Sequence, residues 1–350
     1  MNMLEIDGSC ISAENPCYLI AEISANHNQS FNQALKLIHA AKESGADAVK
    51  LQTYTPDTIT IDCDNDRFMI KTGLWKSSSL YELYQKAYTP WEWQPKLKEK
   101  ADSLGITLFS SAFDITAVHF LEEMNVPAHK IASFELVDIP LIEAMARTGK
   151  PLLMSTGMAS FQEIEDAVNA ARNAGAVQIA LLKCNSSYPA PVEDMNLATI
   201  PDIAEKFDVV AGLSDHTIGN DAAIASVILG ARIIEKHFVL SRDDGALDAE
   251  FSLTPTEFKN MVVSVRNVEK AVGQVHYDLV ESDKENRRFR RSLFAVEDIR
   301  KDEVFTEKNV RSIRPADGLA PVCIGDVHGK SAATVIKKGT PMSWELVRRV

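Results

Sequence analysis

Eight short apolar runs recur through the first two thirds of the chain, and each ends in polar or ionisable side chains. They begin near residues 18, 47, 107, 129, 151, 178, 209 and 232. YLIAE, DAVKLQT, TLFSS, HKIAS, PLLMSTG, QIALLKC, VVAGLSDH and RIIEKHF are nearly continuous in hydrophobicity. Strands of a parallel sheet, covered on both faces, read this way. Helix-like segments separate most of them. Ser30 with Gln33 and Ser160 with Glu163 have capping-box spacing. Phe31, Ala34, Leu35, Ile38 and Ala41 share one helical face, with Gly45 as a stop. Thr89 is placed to cap a helix with Pro90 in its first turn, ending at Gly105. Thr254-Pro255-Thr256-Glu257 opens a last amphipathic helix through Met261, Val262, Val265 and Val268 to Gly273. Eight such units over about 250 residues describe a (β/α)8 TIM barrel. The alternative is a doubly wound open sheet, but no glycine-rich dinucleotide loop follows the first strand.

The barrel reading assigns residues 1–273 to one domain. SDKENRRFRR then reads as part of a solvated linker over 274–291. Residues 292–350 contain an internal echo: IRKDEVFT from Ile299 resembles IKKGTPMS from Ile336, and each continues to a Val-Arg pair, Val310-Arg311 and Val347-Arg348. Two similar short-strand units imply a small β-rich domain that needs support from something else at that size.

The net charge of -12 argues against nucleic acid as a main partner. It leaves room for a small anion, because a local lysine cluster can dominate a cleft. Cys10, Cys17, Cys63, Cys184 and Cys323 are scattered, with no CxxC, so neither a disulfide framework nor a zinc knuckle is expected. No apolar run approaches the roughly 20 residues of a membrane span, and the amino terminus lacks a signal-peptide core. The expectation is a soluble cytoplasmic protein with no membrane partner.

Barrel active sites lie at the carboxyl ends of the strands. In order these ends are Glu22; Lys50 and Gln52; Ser110 and Ser111; Lys130 and Ser133; Ser155 and Thr156; Lys183 and Asn185; Ser214, Asp215 and His216; and Glu235, Lys236 and His237. One polar ending is ordinary, but eight at one rim point to catalysis. His216 and His237 end consecutive strands, about 4.8 Å apart. They can share a metal with open positions for a substrate oxygen, or each can be a hydrogen-bonded histidine without one. Lys50, Lys130, Lys183 and Lys236, with Ser111, Ser133, Ser155 and Asn185, suit a phosphate and a carboxylate. Two other readings of such lysines are open: a snorkelling surface residue, or a Schiff base at Lys183 or Lys130. The long stretch GLWKSSSLYELYQKAYTPWEW reads either as a small helix packed on the barrel or as a lid giving apolar contacts to a substrate with methyl or acetamido groups.

AEISANHNQ, KLQTYTPDT, KIASFEL, STGMA, LLKCNSSYPAP, GLSDHT, IEKHF and RPADGL, in that order, resemble the sialic-acid synthase family across nearly the whole chain. The resemblance implies a barrel followed by an antifreeze-like (SAF) domain. It implies condensation of phosphoenolpyruvate with an N-acylated sugar, using a divalent metal: Mn2+, with Mg2+ or Co2+ as alternatives. LWKSSSLYELYQKAYTPWEW resembles a branch acting on a diacetamido-trideoxy sugar rather than the N-acetylneuraminate branch. By resemblance His216 and His237 are metal ligands. Lys50, Gln52, Ser111, Lys130, Ser133, Ser155 and Asn185 hold phosphoenolpyruvate. Glu22, Glu135, Glu235 and Asp248 are the carboxylates that meet sugar hydroxyls, water or the aldehyde. Arg314 reaches the sugar end of a partner's site, which implies a domain-swapped homodimer. Ala112 stands where the family commonly has Pro, Ser77 where Gly is usual, and Asn185 where Thr is commoner.

Overall fold

A computed structural model describes residues 3–76 and 78–348 of the 350. Ser77, one of the departures noted above, lies outside the described residues. So do the two residues at each end of the chain. The chain divides into two compact units, Met1–Gly273 and Gln274–Val350.

In the first unit eight parallel strands close into a barrel: β1 (Tyr18–Glu22), β2 (Ala48–Thr53), β3 (Thr107–Ala112), β4 (His129–Ile131), β5 (Leu152–Ser155), β6 (Ile179–Cys184), β7 (Val210–Asp215) and β8 (Ile233–His237). They run in sequence order, and β8 pairs back onto β1 in parallel register from Ile233 opposite Tyr18 to His237 opposite Glu22. That closure replaces the open-sheet alternative. Side chains alternate between the two faces of each strand. Leu19, Ala21, Val49, Leu51 and Ile234 therefore join the layer under the helices, packed with Leu37, Ile38, Phe258 and Met261. Ile20, Ala48, Phe109 and Ile233 belong to the other cluster, which joins inward-facing strand residues to the layer under the helices that carry Leu121, Ile142, Val168 and Ile203. Gly212 is there because nothing larger fits: a Cβ would lie 2.5 Å from the Ile233 carbonyl oxygen and 2.6 Å from Leu182 Cδ2.

A feature not read from the sequence is a short hairpin, Leu4–Ile6 against Ser9–Ile11, ahead of the barrel. Its Leu4, Ile6 and Ile11 are buried with Tyr18, Ile20 and Ala48, and Asp7 accepts from the Thr107 hydroxyl at the start of β3 at 3.1 Å. It closes the amino-terminal end of the barrel and leaves the carboxyl end open. The sequence signal was Asp7-Gly8, a hairpin turn pair, between the triplets LEI and SCI; both residues have positive φ.

The helices follow their caps with one exception. Ser160 and Glu163 satisfy each other's backbone N–H at 2.7 and 3.3 Å. The Glu257 carboxylate accepts from the Thr254 amide at 2.8 Å. Ser30 accepts from the Gln33 amide at 3.3 Å, but the Gln33 side chain donates to Asp244 at 3.0 Å instead of returning to Ser30, so that capping box is only half formed; the buried face of that helix also includes Leu37. Thr89, read as a cap, is not one. Its hydroxyl pairs with the buried His27 ring at 3.1 Å, and the helix starts later, at Gln94–Leu104, with Gly105 in the left-handed region as its stop. No helix among the described residues is long and apolar enough to cross a membrane, and the five cysteines are free thiols.

In the second unit residues 274–291 are exposed and hold only two short 3-10 turns. Beyond them the sequence echo becomes a structural one. Ile299 and Ile336 exchange backbone hydrogen bonds of 2.8 and 2.9 Å. The Asp302 amide donates to the Ala332 carbonyl, and the equivalent Gly339 amide to the Ala295 carbonyl. Both Asp302 and Gly339 have positive φ. Phe305 and Met342, and Val310 and Val347, fill equivalent places in one small core. Two strands, Ser292–Ala295 and Val310–Ile313, pair antiparallel across it.

Candidate active site

At the carboxyl end of the barrel, strand alternation turns Glu22, Lys50, Gln52, Ser111, Lys130 and Glu235 toward the interior. Lys50 Nζ stands 2.5 Å from Glu22, 3.5 Å from Glu235 and 3.0 Å from the Ser111 hydroxyl. Lys130 donates to Ser155 Oγ at 2.7 Å and lies 3.9 Å from Glu235. Both lysines and both glutamates are buried. Burial costs Lys50 its charge, but Glu22 and Glu235 more than restore it and raise its pKa. Burial dominates at Lys130 and lowers it, against the pull of Glu235. The two carboxyls separate. Burial and the neighbouring Glu235 push Glu22 up to about 7 despite Lys50. At Glu235 burial opposes charge, yet Lys130, Lys50 and His216 hold it below the usual carboxylate range. Two ammonium groups lined by hydroxyls form a dry, preorganised anion cradle.

Four lysines read alike in the sequence, and the barrel splits them. Lys236 lies one residue out of phase with Glu235 and His237. It turns to the helix side, where it pairs with Asp215 at 2.8 Å, both side chains fully buried, and donates to the Thr217 carbonyl. Lys183 is likewise out of phase with Cys184; its Nζ donates to the Cys184 carbonyl at 2.8 Å. Neither belongs to the cradle. Asp215 is accounted for by Lys236 and by the Thr217 amide, which it accepts at 2.8 Å.

His216 and His237 face each other edge to face, ring centroids 5.3 Å apart. His216 Nδ1 donates to the Asn185 carbonyl at 2.7 Å. A carbonyl only accepts, so a proton sits on Nδ1, which leaves Nε2 as the ring nitrogen that a metal would take, the arrangement metal-ligating histidines use. His237 Nδ1 is buried without a partner, 3.8 Å from Asp248 Oδ2. Among the described residues no group of three or more His, Cys, Asp or Glu side chains gathers in a metal-holding arrangement. A divalent ion on these two imidazoles would have to be completed by water or substrate oxygens.

Asn185 uses its side chain locally, accepting from the Ser187 amide at 2.9 Å. The hydroxyl at this corner is Ser186, 2.8 Å from Ser133 Oγ. The serines approach because residue 157 is glycine: a Cβ there would lie 2.4 Å from Ser133 Cβ and 2.6 Å from Ser186 Oγ. Ser186 follows Asn185 in LLKCNSSYPAP. Ser24, which donates to Asp248 and accepts from Gln52, was not read at all. Its one signal was a small hydroxyl residue just beyond the end of β1. Arg314 is exposed in the second unit and makes no ion pair among the described residues.

A cavity of about 560 Å3 opens over this rim. Its floor is polar: Ser24, Gln52, Glu135, Ser186, His237 and Asp248. Its wall is apolar and comes largely from the long loop after β2. Leu80, Leu83, Tyr84 and Ala87 line it from one face of the helix Leu80–Ala87, and Trp75 joins them. The two readings of that loop are one object: a small helix on the barrel, whose apolar face is the cavity wall. Gln29 ties it down, donating to the Lys86 and Tyr88 carbonyls.

Glu135 projects from the turn after β4 with Oε2 buried and unpartnered. Burial pushes its carboxyl from 4.5 up to about 7, against Lys130. A carboxyl raised by folding contributes fully below its unfolded value and costs stability as pH climbs through the folded one. Glu135→Gln removes that cost. Relative to wild type, the variant should be equal near pH 4.5 and more stable by about 2–3 kcal/mol at pH 8. Urea unfolding at the two pH values measures it, and a pH-independent difference would place the carboxyl in water.

Fold and rim together define a class: a closed eight-stranded barrel followed by a small second unit, with buried lysines and carboxylates at the carboxyl ends of the strands and a cavity with an apolar wall over them. The chain belongs to the NeuB family, which matches residues 37–277, with a SAF domain matched over residues 290–348. It is 45% identical to the pseudaminic acid synthase of Helicobacter pylori over 95% of this chain and 98% of that one. It is 34% identical to the N,N'-diacetyllegionaminic acid synthase of Legionella pneumophila, covering 94% of each. Among solved structures it resembles the N-acetylneuraminic acid (sialic acid) synthetase of Leptospira borgpetersenii, with a TM-score of 0.73 and 30% identity over 81% of this chain and 94% of that one.

Proposed function

We propose that this chain is a pseudaminic acid synthase. It condenses phosphoenolpyruvate with 2,4-diacetamido-2,4,6-trideoxy-β-L-altropyranose to pseudaminic acid and phosphate, supplying a nonulosonate for surface or flagellar glycans. The observation that carries this reading is the two-sided cavity. A polar floor, with Gln52 hydrogen-bonded to the Glu22 that pairs with the buried Lys50, places the reacting end beside Lys50 and Lys130, which suit a phosphorylated carboxylate. An apolar wall suits a sugar with a methyl group and two acetamido groups. The likeness to the Helicobacter enzyme over almost its full length supports the same choice.

Lys50 and Lys130, with Ser111 and Ser155, hold the phosphate and carboxylate of phosphoenolpyruvate and fix its C3 toward the open-chain aldehyde. A divalent metal held by His216 and His237, manganese with magnesium or cobalt as alternatives, supplies Lewis-acid polarisation of that carbonyl when bound. C3 attacks the aldehyde carbon: the C2–C3 π pair forms the new C–C bond, the carbonyl π pair moves to the aldehyde oxygen, which becomes a hydroxyl with the proton that water gives up through Glu22, and C2 is left as an oxocarbenium. The anionic Glu235 stabilises that positive charge. Glu22, whose carboxyl titrates near neutrality, takes a proton from the water that adds to C2. The C2–O bond to phosphate then breaks, leaving the 2-keto acid. Asp248 and Glu135 meet the sugar's hydroxyl and amide groups. Arg314 serves the sugar end of a second copy's site in a cytoplasmic, domain-swapped homodimer. Exposed apolar side chains on the loops after β4 to β7, Phe134, Val137, Met158, Val192 and Ile218, support a covered rim.

The test is phosphate release with Mn2+, phosphoenolpyruvate and each candidate sugar. Release is expected with the diacetamido-trideoxy-altrose. Release with N-acetylmannosamine alone, or with the legionaminic acid precursor alone, would move the substrate within the family. No release with any sugar would leave a sugar-binding protein. Inactivation by borohydride in the presence of a carbonyl substrate would instead favour a Schiff base on Lys130.

A further inference from the structure

Ser24 carries a left-handed backbone, φ 46°, one residue past the Ile23 that follows β1. A non-glycine residue rarely sits there, and when it does at a site, something gained from the geometry holds it. Ser24 is buried, at 3% exposure, on the cavity floor. Its hydroxyl is fully used. It donates to Asp248 Oδ2 and accepts from Gln52 Nε2 at 3.1 Å. The same Gln52 amide donates to Glu22 Oε1, also at 3.1 Å. The left-handed turn brings the Ala25 backbone N–H to Asp248 as well.

One hydroxyl thus joins two parts of the floor that come from distant stretches of chain. On one side are Glu22 and Gln52, from β1 and β2, over the lysine cradle. On the other is Asp248, from the loop after β8, facing His237. Asp248 has no lysine or arginine partner among the described residues, so the hydrogen bond from Ser24 sets its direction. The Gln52 side chain has both amide hydrogens committed, one to each end of the chain of bonds. With Gln52 donating both ways, the chain carries no proton from end to end. Its effect is to fix directions.

We propose that Ser24 is a positioning residue: its hydroxyl, aimed by the left-handed turn and by the Gln52 amide it accepts from, holds Asp248 in the orientation that receives the sugar. The inference rests on the proposed synthase reading and adds a residue to it. It separates two consequences that usually travel together. Glycine at 24 removes the hydroxyl and relieves the backbone; alanine removes the hydroxyl and keeps the strain.

The experiment compares wild type, Ser24→Gly and Ser24→Ala in thermal unfolding and in steady-state phosphate release with the diacetamido-trideoxy sugar. Ser24→Gly should melt at or above the wild-type temperature and Ser24→Ala below it. Both should lose tenfold or more in kcat and show a raised KM for the sugar. The KM for phosphoenolpyruvate should stay within twofold, because Lys50, Lys130, Ser111 and Ser155 are untouched. A Ser24→Gly enzyme with wild-type kcat and sugar KM overturns the proposal, and so does an equal rise in both KM values. Wild-type protein that releases no phosphate with any sugar overturns the synthase reading, and the role of Ser24 with it.

Discussion

His237→Ala is expected to lower turnover by three orders of magnitude or more while the protein still folds. The His237 ring is buried, its Nδ1 has no hydrogen-bond partner, and burial together with His216 and the lysines nearby holds its pKa well below the usual value. Deleting it therefore breaks no hydrogen bond that the folded chain makes at Nδ1. The loss to stability is mainly the edge-to-face contact with Phe251, ring centroids 4.8 Å apart, on the order of 1 kcal/mol. The loss to catalysis is larger. Polarising the aldehyde is a several-kcal/mol effect, and each 1.36 kcal/mol or so is tenfold in rate. Steady-state phosphate release gives the rate, thermal unfolding reports the fold, and titration calorimetry with Mn2+ gives a readout independent of turnover. Near wild-type turnover, or unchanged Mn2+ binding, would remove the metal assignment.

Lys236→Met is expected to do the opposite: a large loss of stability from a residue outside the cradle. Lys236 and Asp215 form an ion pair with no exposed surface on either side chain. Removing the cation leaves a buried carboxylate held only by the Thr217 amide. Breaking such a pair costs about 3–5 kcal/mol, because the partner stays desolvated and uncompensated. Asp215→Leu with Lys236→Met should recover part of the loss, since a buried pair can often be replaced by apolar volume. The recovery stays partial, because the Thr217 amide loses its acceptor. Urea unfolding measures both variants. Lys50→Met is the contrast: it also leaves buried carboxylates, Glu22 and Glu235, without their cation, so stability falls again, but the condensation is lost with it. A Lys236→Met protein as stable as wild type but inactive would return Lys236 to the cradle.

The same pair shows where reading a linear sequence stops. Eight apolar runs with polar ends were legible as barrel strands because a strand buried on both faces must be apolar throughout, whatever packs against it. The capped helix starts at Ser160 and Thr254 were legible for a similar reason: the groups that satisfy the orphan amides lie within three residues. Thr89 looked like another such cap. Its hydroxyl was instead taken by His27, 62 positions away, and a local rule cannot see a distant competitor. The hairpin at Leu4–Ile6 went unread because three-residue strands carry little pattern, although its Asp-Gly turn was there to find.

Local chemistry settled the fold class, the positions of the strand ends and the residue types gathered at one rim, because each follows from hydrophobicity, capping and spacing along a few residues. Only the closed barrel decided which of those residues meet. Registers from β8 to β1 and on to β2 put Glu22 between His237 and Lys50. One step of alternation separates Lys50 and Lys130, inside, from Lys183 and Lys236, outside. The side chain of Asn185 turned back on its own loop and left the corner to Ser186. Ser24 became visible only through a backbone angle and two hydrogen bonds to residues 28 and 224 positions away. Side-chain direction is set by strand phase and by partners brought from elsewhere in the chain, and neither is written at the position itself.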